Sequence, residues 1–142
     1  MAPVIESPLA GANSINDMLL QSWGGVLRVF PALPKAWQDV TIHNGRCQGS
    51  FLVSARRTGG VTRFVRVLSL AEEPCVVRTG MSGTLTAKTN TGRTPTITRV
   101  DAQTVRVDLR KGEEVVLYPA GTSPALTIAP VNAGTPFHWG MS

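Results

Sequence analysis

From Asp39 onward the sequence repeats one pattern: a short run in which apolar and polar residues alternate, then a cluster of turn residues. Alternation with a period of two sets one side of the chain against a core and the other in water, as in a half-buried strand. Residues 47–57 alternate through Phe51, Val53 and Ala55, Thr58-Gly59-Gly60 turns the chain, and residues 61–70 return. In the returning run Val65 and Val67 share one side, with Phe64, Arg66 and Leu68 on the other. Before this pair, residues 40–43 form a short strand, and Asn44-Gly45 predicts a hairpin turn because both residues accept positive φ. After it come strands over 75–78, 84–88, 96–100, 104–109, 114–118 and 126–129. Turn chemistry divides them at Glu73-Pro74, Asn90-Thr91-Gly92, Lys111-Gly112 and Pro119-Ala120-Gly121. Many short strands at this spacing, without an internal repeat, predict a mainly β fold, an antiparallel sandwich or barrel; the sandwich is the reading adopted.

The first residues have a different period. Ser7 is a good N-cap, and Pro8 fits the first helical position, where its missing N–H costs nothing. Leu9, Ala12, Ile15, Met18 and Leu19 fall on one face at helical spacing, which predicts one N-terminal α-helix over 8–22, with Gly24 as a left-handed C-cap. Residues 26–30 then read as a strand stopped by Pro31, and residues 33–37 as one helical turn. Trp37 is expected to plug the join between helix and sheet. The chain thus divides into residues 1–37, a helix with its connecting strand and turn, and residues 38–142, the sandwich. The tail over 131–142, with Pro136-Phe137-His138-Trp139, either docks or frays.

A length of 142 residues allows one domain with a real core. The apolar fraction of 42% and a mean hydropathy of +0.06 are those of a soluble globular protein. No apolar run is long enough for a transmembrane helix, so no membrane partner is expected. Residues 1–30 lack the pattern of a signal peptide, so a stand-alone chain would be cytoplasmic. Fourteen Lys and Arg against nine Asp and Glu give a net charge of +5. The arginines (among them Arg56, Arg57, Arg63, Arg66, Arg78, Arg93, Arg99, Arg106 and Arg110) alternate with apolar residues instead of forming a block. They read as a solvated sheet face, not a nucleic-acid footprint. Cys47 and Cys75 lie on the apolar side of their local alternation and read as buried hydrophobes, with a single bridge as the alternative.

Constellations that carry chemistry are scarce. His43 and His138 stand without a spacing that would close a metal shell, so no metal or cofactor is expected. Gly24-Gly25 and Gly59-Gly60 are turn glycines outside any phosphate-cradling context, and no GxSxG elbow is present. No catalytic residue is assigned; Glu6 is the one candidate carboxylate, and its place before a helix N-terminus suits the helix dipole without any catalytic role. Trp23 and Trp139 are the candidate carbohydrate contacts, since an aromatic face offers apolar area to sugar C–H groups.

Three stretches carry a family likeness: Met18–Ser22 (MLLQS), Val29–Pro34 (VFPALP) with Trp37, and the paired run around Gly59-Gly60 with Pro74-Cys75-Val76-Val77-Arg78. The chain resembles the C-terminal region of glycoside hydrolase family 95, the α-L-fucosidase-like enzymes, and VDLRKGEEVVLYP resembles a strand pair of that region's sandwich. The resemblance implies the last helix of an (α/α)6 catalytic barrel followed by a C-terminal β-sandwich, without the barrel itself. It places Glu6 nearest a family Asp that lies shortly before this helix, in a motif this sequence does not keep. It therefore implies a non-catalytic structural module, not an enzyme, of a family that is often exported. The alternatives are a carbohydrate-binding module and, further off, an anionic-polymer-binding domain. Separated from a barrel, the helix face of Leu9, Ala12, Ile15 and Leu19 is expected to fold back on the sandwich or mediate self-association.

Overall fold

The computed structural model of the chain describes residues 16–130. Residues 16–19 are helical; the remainder of the expected helix, with Glu6, lies outside the described residues. Ten strands follow: β1 (Leu20–Trp23), β2 (Val26–Val29), β3 (Val40–Cys47), β4 (Phe51–Thr58), β5 (Val61–Ser69), β6 (Cys75–Arg78), β7 (Leu85–Thr89), β8 (Ile97–Asp101), β9 (Thr104–Val107) and β10 (Glu114–Pro119). They form two five-stranded sheets, ordered β1-β2-β6-β9-β8 and β3-β4-β5-β10-β7. This is the expected β-sandwich. Neighbouring strands are antiparallel except β2 and β6, which run parallel. Parallel neighbours need a long crossover, and the whole of β3, β4 and β5 in the second sheet supplies it.

The core lies between the sheets. Leu27, Val29, Cys75, Val77, Val105 and Val107 face it from the first sheet, and Ile42, Phe51, Val53, Val65, Val115 and Leu117 from the second. Cys47 and Cys75 are both buried and free. Desolvation pushes their thiols up to about 11 and about 12 respectively.

Several local expectations change. The helix does not reach residue 22: Leu20–Trp23 is a strand, paired with β2 from Leu20↔Val29 to Trp23↔Val26. Helical spacing and strand alternation are nearly degenerate over four residues, and the partner strand decides. Gly24 is accordingly not a helix cap. With φ values of 62° and 74°, Gly24 and Gly25 make the tight turn between β1 and β2. Asn44-Gly45 is not a hairpin either. Asn44 does take positive φ (50°), but inside β3, where the register against β4 slips between Ile42 and Gly45. It is a bulge, held by Ser54 Oγ accepting from Asn44 N at 3.0 Å. The turn into β4 comes later, through Gly49 and Ser50 at φ of 82° and 60°. Residues 126–129 form no strand. Arg66 Nη2 instead donates to the Leu126 carbonyl at 2.8 Å and ties this segment to the outer side of β5.

Candidate functional site

Two clefts stand out. The first lies at the end of the sandwich where the helical residues enter. It is a groove of about 830 Å³ lined by Leu19, Trp37, Val40, His43 and Ile128 among others. Leu19 also packs against the core, and its carbonyl accepts from Phe30 N at 2.8 Å, which ties the helical residues to the segment after β2. Trp37 sits on a single turn closed by Trp37 N donating to Pro34 O at 3.0 Å, not on a helical one. The next residues are fixed from the β4–β5 turn, where Gly60 N donates to Gln38 O at 2.9 Å and Gly59 N to Asp39 Oδ1 at 2.8 Å. Trp37 is 38% exposed. It therefore does not plug the join: the turn carries the ring outward, onto the wall of the groove. Beside it β3 is an edge strand, whose far half is approached by β1 through Ser22 Oγ accepting from Gln48 N at 2.9 Å.

The second cleft wraps from the β1–β2 turn onto the outer face of the first sheet, with a volume of about 570 Å³. Val26, Val76 and Val100 give it apolar surface, and Gln48, Glu73 and Arg106 stand around it. Trp23 pairs with Val26 across the hairpin and lies on the same outer face. It is 59% exposed. Its ring is held in place: the Arg28 guanidinium lies 3.6 Å from the centroid, and Nε1 donates to Gln21 Oε1 at 3.1 Å. Arg28 Nη1 in turn donates to the carbonyls of Trp23 at 2.8 Å and Val26 at 3.2 Å. The result is a rigid aromatic plate with one face covered by a cation. Trp139, the other expected sugar contact, and His138 lie outside the described residues.

The carboxylates with shifted acidity line neither of these clefts. Glu113 is buried, and Arg93 grips it with a fork: Nη2 donates to Oε1 at 2.5 Å and Nε to Oε2 at 3.0 Å. That fork, ahead of the opposing desolvation, holds its carboxyl below the usual glutamate range. Asp101 is likewise lowered, first by the Gln103 backbone N–H, which donates to Oδ1 at 2.9 Å in the β8–β9 turn. Both arrangements are internal braces. The Arg93–Glu113 pair is invisible in sequence, because the two lie twenty positions apart and Glu113 falls between the Gly112 turn and the start of β10. Several arginines of the alternating runs are also engaged within the fold, Arg78 with Gln103 Oε1 at 3.1 Å and Arg99 with the Ala102 carbonyl at 3.2 Å. Among the described residues, no three His, Cys, Asp or Glu converge as a metal site, and no helix is long and apolar enough to cross a membrane.

The family model described as glycoside hydrolase family 95, C-terminal domain, matches residues 21–117, from within β1 to within β10. No curated protein matches the chain.

Proposed function

The chain belongs to glycoside hydrolase family 95 through that family's C-terminal domain, and from this premise we propose that it is a non-catalytic β-sandwich module that braces a catalytic barrel. The observation that carries the reading is the groove at the helical entry. Trp37 stands exposed there beside Leu19, Val40 and Ile128, where water contact is unfavourable for so large a ring. The resemblance sets the last helix of the barrel just before this sandwich, and the helical residues 16–19 enter at this groove, so the barrel is its natural cover. The perturbed carboxylates support the same reading, since Glu113 and Asp101 are spent on internal bonds. Glycoside hydrolysis needs two carboxyl groups facing each other across the bond.

The test is an assay of the purified chain on aryl glycosides, fucosides included, beside sedimentation velocity over a range of concentrations. The expected result is no turnover, with the uncovered groove driving self-association that Trp37→Ser abolishes and Trp37→Phe retains. Turnover that disappears in Glu6→Gln overturns the non-catalytic reading. An oligomer indifferent to Trp37→Ser removes the groove as the docking surface.

A second reading, a carbohydrate-binding module, is favoured by one observation. Burial of Trp23 would have counted against it, and Trp23 is instead exposed and held rigid on the first sheet.

A further inference from the structure

The cleft on the first sheet is separate from the groove assigned to bracing, and the two share no lining residue. On the floor of this cleft Val76 stands opposite Arg106 across β6 and β9, and Arg106 opposite Thr98 across β9 and β8; Val100, at the register shift in β8, also lines it. Gln48, Glu73 and Arg106 line the cleft, and none of their side-chain termini has a hydrogen-bond or ion-pair partner among the described residues; Gln48 is engaged only through its backbone N–H. A Cβ added at Gly24 or Gly25 would meet nothing within 4 Å, so the space above the turn is open. A volume near 570 Å³ is ordinary for a small-molecule site.

The chemistry of the lining narrows the occupant. Val26, Val76 and Val100 offer methyl surface to C–H groups. An amide, a carboxylate and a guanidinium supply donors and acceptors in one place with cancelling charge. An anion would meet Glu73, and a cation would meet Arg106. A wholly apolar ligand would desolvate three polar termini without pairing them. A neutral ring with one apolar face and several hydroxyls satisfies all of them.

We propose that this cleft is a binding site for a neutral pyranose unit, whose C–H face rests on Val26, Val76 and Val100 and whose hydroxyls bond to Arg106, Glu73 and Gln48. The proposal rests on the carbohydrate-binding reading and gives it an address.

The experiment is an amide NMR titration of the full chain with methyl glycosides of galactose, xylose and fucose, with a fucosylated oligosaccharide mixture and, separately, with heparin. Arg106→Ala and Glu73→Ala follow, both at exposed positions and each checked for an unchanged melting profile. The expected result is saturable shifts at residues 24–26, 48–49 and 73–76 with at least one sugar, and affinity weakened about tenfold or more in Arg106→Ala and Glu73→Ala, as loss of bonds to charged groups implies. Sugar binding that both variants leave unchanged, or shifts that gather at the Trp37 groove, overturn the cleft while the carbohydrate reading stands. A folded chain that saturates with none of the sugars overturns both. Binding of heparin alone, with steep salt dependence, overturns both in favour of an anionic polymer.

Discussion

A carboxylate as buried as Glu113 is tolerated only when both oxygens are paired and its charge is answered. Arg93 does both through its fork, and Thr91 Oγ1 adds a donor to Oε2 at 3.2 Å. Arg93 also reaches the Asp108 carbonyl at 2.7 Å, so one guanidinium links the β7–β8 connection, the segment after β9 and the start of β10. Its second ion pair, to Asp108 Oδ2 at 3.4 Å, faces water and contributes little. The acid response follows. The folded state holds Glu113 below its ordinary value of 4.5, so the charged form is the one the fold favours. The stability this confers is fully present above the unfolded value and is lost as pH falls through the folded one. Glu113→Gln should therefore lower the thermal midpoint by several degrees at pH 7, and the gap to the parent should close as pH falls through this range. Parallel melting curves down to acid pH would refute the pairing. Arg93→Lys should not rescue it, because a point ammonium cannot reproduce the fork.

At the scale of elements, turns and strands were legible where chemistry is local. Thr58-Gly59-Gly60 turns the chain as its composition requires, with φ of 58° and 76° at the glycines, and β4 and β5 pair on either side of it with one register shift between Arg56 and Arg57. The same rule located the backbone anomaly at Asn44 but not its role. Positive φ can close a hairpin or seat a bulge, and only the partner strand distinguishes them. Leu20–Trp23 was misread for a related reason, since a four-residue strand owes its existence to β2. Trp23 was legible as an aromatic in search of a role, whereas Gln48, Glu73 and Arg106 come together in the cleft only through the two-sheet topology. The β1–β2 turn offers a clean measurement of backbone strain. Because a Cβ at Gly25 would meet nothing within 4 Å, Gly25→Ala brings no clash. Its whole cost is the left-handed conformation, about 1–2 kcal/mol for an L residue. Gly24→Asn should be nearly neutral in the same denaturation experiment, since Asn accepts positive φ. Equal losses in the two variants would mean that the turn tolerates no side chain at all.

At the scale of the molecule, the two thiols report how the sheets part. Cys47 ends β3, an edge strand of the second sheet, while Cys75 begins β6, the middle strand of the first. Both belong to the one core, and burial raises both thiols, so the neutral form is favoured in the fold. Their contribution to stability is complete below the ordinary thiol value of 9.0, and it is lost as pH rises towards about 11 for Cys47 and about 12 for Cys75. Reaction with a thiol reagent near pH 7 then requires opening, since only the exposed thiolate attacks. Edge strands open at lower cost than central ones, and Cys47 belongs to an edge strand whereas Cys75 belongs to the middle of its sheet. Cys47 should therefore label through a local opening that depends weakly on denaturant, and Cys75 only through global unfolding, with the full denaturant dependence. Single-cysteine variants, Cys47→Ala and Cys75→Ala, separate the two rates. If both thiols react together with the same steep dependence, the sandwich opens as one unit, and the edge beside the groove is as firmly held as the centre.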